Sequence, residues 1–243
     1  MIQLSTGDAQ NFSAYRADPS GTPKGAVVIL PEVLGLDDRI RKVADGFAEK
    51  GYVAVAPSLF DKVKPNVALT DDEAGLTEGR GLSAEVGTEW SLSAIQATVD
   101  SVKDAGKVAV LGYDWGGYLA FLSANQVKGI ACAISYYGEG IPKEQRGKCK
   151  VPTLLHFGEA DEVVPFDEVA IFRFARPDVS AFSYPGAGHA FDREGSAGYQ
   201  KEGAEKADER TMVWISQYVE GAPPVQMKNA GAYAQAKTDK KGK

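Results

Sequence analysis

Four carboxyl and imidazole groups spread along this chain could do covalent chemistry together: Glu32, Asp114, Asp161 and His189. Asp114 stands in Gly112-Tyr113-Asp114-Trp115-Gly116-Gly117, between a short apolar run and a helix-compatible segment. This is the form of the G-x-nucleophile-x-G elbow, in which a strained strand-to-helix turn lifts one side chain above a sheet. The flanking glycines are required because the two backbones approach more closely than a Cβ allows. Asp161 lies in HFGEADEVVP and His189 in YPGAGHAFDR, so the order is nucleophile, acid, histidine. His189 is one of two histidines, and its Gly-rich loop is not a setting that a structural histidine needs. The other, His156, lies within an apolar run and reads as a satisfied core residue.

The chemistry open to such a set depends on the carboxylate at the elbow. Attack on an ester carbonyl gives a tetrahedral adduct that expels the carboxylate again. Aspartate, with a pKa of about 4, leaves far more readily than an alkoxide, whose parent alcohol has a pKa near the 15.7 of water. Attack on an sp³ carbon bearing a halide, or on an epoxide, does give a covalent intermediate. A histidine oriented by Asp161 then activates water against that alkyl ester. Trp115 could aim its indole N–H at a departing halide, or it could be a core aromatic covering the first helix turn. Glu32 is either a second carboxylate facing Asp114 and sharing a proton with it, or a solvated loop residue or helix cap. Arg193, four residues past His189, would meet an anionic substrate, or pair at the surface with Glu194. Tyr136 and Tyr137 end a strand and could line a pocket. Cys132, among alanines and Ile134, reads as a small buried hydrophobe.

The elements that must position these groups follow from the apolar pattern. Continuous apolar runs over 25–30, 52–57, 107–111, 129–137 and 152–157 predict strands covered on both faces, with a weaker edge strand over 11–16 and a last strand over 179–184. Helical spacing predicts helices over 38–50, 85–102, 118–124, 169–175 and 202–219. Residues 58–87, acidic, Gly-rich and without apolar periodicity, read as a long loop. Strands alternating with helices imply βαβ units and a mainly parallel sheet. In such sheets ligands bind beyond the C-terminal strand ends, where Glu32, Asp114, Asp161 and His189 all fall. One α/β domain is expected over 1–220, followed by a Lys-rich flexible tail over 221–243.

Bulk properties narrow the partners. The chain has 243 residues, 44% hydrophobic and 25% charged, with a net charge of −6. An acidic surface disfavours nucleic acid and anionic membranes. No apolar run approaches the roughly 20 residues of a membrane span, and the N-terminus lacks a signal-peptide pattern. Two cysteines, Cys132 and Cys149, make no disulfide framework, and a cytoplasmic monomer or small homo-oligomer is expected. No zinc-ligand spacing, P-loop or dinucleotide fingerprint appears, so neither a metal nor a cofactor is expected.

Together the segments PEVLG (with Glu32), GYVAVAPSLF, LGYDWGGYLAF, HFGEADEVVP and AGHAFDREGSAGY followed by DERT resemble the dienelactone hydrolase (carboxymethylenebutenolidase) family, over roughly residues 10–218. The resemblance implies an α/β-hydrolase fold: a mostly parallel central sheet with helices on both faces. It also implies a nucleophile at Asp114, a His–Asp pair at His189 and Asp161, and a glutamate at Glu32 that contacts the resting nucleophile. Arg193 would bind a substrate carboxylate, and Arg80 is the nearest match to a second substrate arginine. The chain departs from the family at the nucleophile, a cysteine there and Asp114 here. Asp-Trp-Gly-Gly resembles instead the elbow of haloalkane dehalogenases and epoxide hydrolases. The expected function is hydrolysis of a small carboxylate-bearing substrate: a lactone or ester, or an alkyl halide or epoxide through Asp114. The alternative is a non-catalytic small-anion binding protein that retains the pocket.

Overall fold

A computed structural model describes residues 1–225. Its central element is an eight-stranded sheet in the order β1-β2-β4-β3-β5-β6-β7-β8. The strands are β1 (Ile2–Ser5), β2 (Asn11–Ala17), β3 (Ala26–Leu30), β4 (Val53–Pro57), β5 (Val108–Tyr113), β6 (Ile130–Tyr136), β7 (Thr153–Gly158) and β8 (Ser180–Tyr184). β1–β2 and β2–β4 pair antiparallel at one edge, and the remaining pairs are parallel. With the helices on both faces this is the α/β-hydrolase fold. The short first strand is absent from the sequence expectation; as an edge strand it buries too little to show a strong apolar pattern.

Alternation along the strands divides the core. Val27 and Ile29 of β3 and Ala109, Leu111 and Tyr113 of β5 face α1 (Asp38–Glu49) and α6 (Lys201–Ile215). Val28 and Leu30, with Val108 and Val110, face α3 (Thr88–Val102) and α4 (Trp115–Gln126). α5 (Phe166–Ala175) closes a third cluster over β7 and β8. Two-sided cover is what the unbroken apolar runs demand.

Residues 58–87 are not a long loop. They hold a 3-10 turn at Leu59–Lys62 and a helix, α2 (Glu73–Val86), capped by Asp72, whose carboxylate accepts the Gly75 N–H at 2.8 Å. Two of the three buried positions of α2 are Gly75 and Gly79. A Cβ at Gly79 would lie 2.1 Å from the Val33 carbonyl oxygen, so the helix docks backbone against backbone. A face made of glycine carries no hydrophobic signal, which explains the missed helix. The helix expected over 85–102 starts at Thr88 because Gly87, at φ 75°, breaks it from α2. Of the tail expected over 221–243, residues from 226 onward lie outside the described residues. Among the described residues no helix is long and apolar enough to cross a membrane.

β3 has β4 on one side and β5 on the other, so the strand order reverses there. A crevice opens at such a reversal, and the loop after β3 and the turn after β5 are its walls. Glu32 comes from the first and Asp114 from the second.

Candidate active site

The β5–α4 turn holds Asp114 at φ 49° and ψ −116°, strained for a residue with a side chain. Its amide donates to the Tyr136 carbonyl at 3.1 Å, and its carbonyl accepts the Tyr118 N–H that starts α4. The glycines allow this turn. A Cβ on Gly112 would lie 2.0 Å from the Gly116 oxygen, and one on Gly116 would lie 2.4 Å from both the Leu30 and Pro31 oxygens. Asp114 therefore sits at the positive end of the α4 dipole, which favours a carboxylate.

The loops after β7 and β8 bring the other two groups to this point. Asp161 is buried, and its Oδ1 accepts the amides of Val163 and Val164 at 2.8 and 2.9 Å. Its Oδ2 lies 2.9 Å from His189 Nδ1. On the other side of the ring, His189 Nε2 lies 3.5 Å from Asp114 Oδ1. Burial lowers the His189 pKa, but hydrogen bonds and charge from Asp114 and Asp161 outweigh it and push it up to about 10. The imidazole is thus a cation at neutral pH, held between two carboxylates.

Glu32 is a buried member of this group, not a solvated loop residue or cap. Its Oε2 accepts from Arg193 Nη2, and its Oε1 from the Tyr137 hydroxyl at 2.8 Å and Arg39 Nη1 at 3.4 Å. Burial raises its pKa; Arg39 and Arg193 oppose this, while the charges of Asp114 and Asp192 add to it. Arg193 does not pair with Glu194. It bridges Glu32 and Asp71, the latter at 2.6 Å.

These groups line a cleft of about 460 Å³ with Glu32, Asp114, His189 and Arg193 in its walls. Arg80, carried by α2, also lines it; its guanidinium is exposed and has no ion-pair partner among the described residues. Two expected lining residues lie elsewhere. Trp115 stacks flat on Phe60, with ring centroids 5.2 Å apart at 4°, and packs in the core. This is the contact expected of the core aromatic, and Trp115 is absent from the walls of the cleft. Tyr137 is fully buried beneath the cleft; its hydroxyl meets Glu32 and Asp192, and its ring packs edge-on against His189 at 5.0 Å. His156 is fully buried too, bonded to the Tyr184 hydroxyl at 2.8 Å and Thr211 Oγ1 at 3.1 Å, and burial with the Arg210 charge lowers its pKa to about 3.

Residues 12–219 match the dienelactone hydrolase family. The chain belongs to that family. Family relatives include a carboxymethylenebutenolidase from Pseudomonas putida, 30% identical over 226 residues, covering 88% of this chain and 95% of that protein. Carboxymethylenebutenolidase 1 of Cupriavidus pinatubonensis is 29% identical over 222 residues, covering 87% and 94%. Among solved structures, a dienelactone hydrolase-like promiscuous phosphotriesterase from metagenomic libraries has a TM-score of 0.68 at 18% identity, covering 89% of this chain and 97% of that one. At that identity the match speaks to the fold alone.

Sequence reasoning missed Arg39, Asp71 and Asp192. Each sits in an ordinary polar stretch, and nothing local distinguishes a charge that ends up in a buried network from one in solvent. The nearest signal was that Asp192 and Arg193 lie in the histidine loop itself.

Proposed function

We propose that this dienelactone hydrolase family member hydrolyses a small, carboxylate-bearing epoxide or alkyl halide through an ester formed on Asp114. The observation that carries the reading is the alignment of Asp114 Oδ1, the His189 ring and Asp161, with 3.5 and 2.9 Å between successive groups. A hydroxyl nucleophile at the elbow needs a histidine to take its proton, whereas the proton of this histidine is held by Asp114 and Asp161. A carboxylate needs no such base, so a resting imidazolium is compatible with attack by Asp114.

In the first step an Asp114 oxygen bonds to the sp³ carbon as the carbon–halogen or carbon–oxygen bond breaks. The electron pair leaves on the halide or on the opened ring oxygen. For an epoxide, that oxygen takes a proton from Glu32, whose pKa is raised by burial. Ester formation removes the Asp114 charge, and with it one of the two contacts that hold the His189 proton. That proton goes to solvent. In the second step neutral Nε2 takes a proton from water as the oxygen attacks the Asp114 acyl carbon. The acyl–oxygen bond breaks, His189 protonates the departing alkoxide, and the new Asp114 carboxyl then passes its proton to His189 Nε2, which restores both the carboxylate and the imidazolium.

Arg80 is assigned to the substrate carboxylate as the unpaired cation of the cleft, and Arg193 to holding Glu32. The relatives' name supports a second reading, a lactone hydrolysed by water with Asp114 as base and no ester formed. A binding protein without turnover has no finding in its favour, since it would not need a histidine steered by a buried acid.

His189→Gln tests this. The variant is incubated with bromoacetate, glycidate and a small carboxylated lactone, and intact mass and peptide mapping are read. A stable adduct on Asp114 with either of the first two is the expected result. Lactone turnover by the unaltered protein with no adduct on the variant supports the second reading. An adduct on any other residue overturns both.

A further inference from the structure

A second cavity, of about 790 Å³, opens between α1 and α6, and Arg39, Tyr113, Asp192 and Asp208 are in its walls. Glu32 lines the cleft and not this cavity, while Asp192 lines this cavity and not the cleft. Tyr137 lies between them, fully buried. Its hydroxyl oxygen is 2.8 Å from Glu32 Oε1 and 2.7 Å from Asp192 Oδ1.

A phenol has one hydrogen, and it cannot lie in both contacts. Both contacts, at 2.8 and 2.7 Å, are short for one hydrogen divided between them, so the other contact draws its hydrogen from a carboxyl group. Arg39 bridges Glu32 and Asp192, and Arg193 bridges Glu32 and Asp71, whose side chain is exposed. The other charged groups near Glu32 are Asp114, a further repulsion, and His189 beyond it, a cation. Arg39 fixes the far end of the chain. Its Nη2 lies 2.8 Å from Asp192 Oδ2, and its guanidinium sits 4.5 Å above the Tyr113 ring.

We propose that Glu32, Tyr137 and Asp192 form a proton relay that reloads the cleft from the second cavity. The shared proton supplies the acid form of Glu32 beside the nucleophile Asp114. When an opened ring oxygen takes the Glu32 proton, Tyr137 passes its own to Glu32 and receives that of Asp192. Asp192 is then reprotonated by hydronium or buffer acid in the second cavity. His189 has meanwhile released one proton through the cleft, so the cycle balances. Tyr137 and Asp192 touch no substrate; they are relay residues. The delivery step rests on the epoxide reading above, but the shared proton does not.

Infrared spectra of the full chain at neutral pH, without substrate, test the shared proton directly. The unaltered protein is expected to show one carboxylic-acid carbonyl band that survives in Asp114→Asn and disappears in both Glu32→Gln and Asp192→Asn. Either single replacement removes the charge that the proton neutralises, so losing the band in both variants is the mark of sharing. A band that vanishes only in Asp114→Asn, persists in both other variants, or is absent from the unaltered protein overturns the proposal. The amide band of the same spectra reports whether each near-isosteric variant is folded, and Tyr137→Phe supplies a third, expected to shift or lose the band. Delivery is read from two probes, because glycidate needs a proton on its opened oxygen and bromoacetate does not. Asp192→Asn is expected to slow glycidate relative to bromoacetate by about tenfold or more; equal slowing of the two overturns the delivery step. Should the unaltered protein turn over neither probe, the functional reading and the delivery step fail while the infrared result still decides the shared proton.

Discussion

His189 Nδ1 lies 2.9 Å from Asp161 Oδ2, and the other oxygen of that carboxylate is held by the amides of Val163 and Val164. The acid cannot rotate without breaking two backbone hydrogen bonds, so the imidazole plane and tautomer are set by main chain. Asp161→Asn keeps the shape but offers the ring an uncharged partner. A loss of about 10²–10⁴ in kcat is expected, with KM changed much less, as steady-state kinetics on the substrate found by adduct trapping would show.

The same histidine makes stability depend on pH. Its pKa is raised from 6.5 in the unfolded chain to about 10 in the folded one. Folding therefore favours the protonated form, and the stabilisation is complete below about pH 6.5 and lost as pH rises through about 10. Urea unfolding of the protein and of His189→Gln should differ most at pH 6 and converge above pH 10. A gap that stays constant over that range would mean that the ring is neutral between its two carboxylates.

Arg80 and Arg193 face one cleft in different states, one unpaired and the other already bridging Glu32 and Asp71. Arg80→Ala is expected to raise KM about tenfold or more for a carboxylate substrate, the magnitude of one charge-assisted contact, while a methyl-ester analogue shows little change. Arg193→Ala is expected instead to lower kcat, because it frees Glu32. Kinetics on the charged and neutral analogues separate the two.

Backbone contact makes two helical glycines differ. Gly116→Ala places a Cβ against the oxygens of Leu30 and Pro31 and is expected to cost more than about 3 kcal/mol or to prevent folding. Gly81, also helical, has open space around its Cβ position. Gly81→Ala should stabilise by up to about 1 kcal/mol. Thermal unfolding of the two variants checks both signs.

What this sequence determined by itself is local or periodic. The apolar runs at β3, β5, β6 and β7 require a sheet covered on both faces, because a strand hydrophobic on each side has no solvent face to offer. The glycines around Asp114 require a close strand-to-helix turn, and the order of Asp114, Asp161 and His189 places all three beyond strand ends. The tertiary structure alone decided what the charged residues do. Arg193 and Glu32 are 161 positions apart, and Tyr137 and Glu32 are 105 apart. Such contacts exist only because neighbouring strands end side by side, and no pattern near either residue encodes its partner. The same holds for α2, whose buried face is backbone and glycine, and for Trp115, whose ring stacks on Phe60. Hydrophobic burial is written into spacing along the chain, whereas pairing among buried charges depends on which loops the finished sheet brings together.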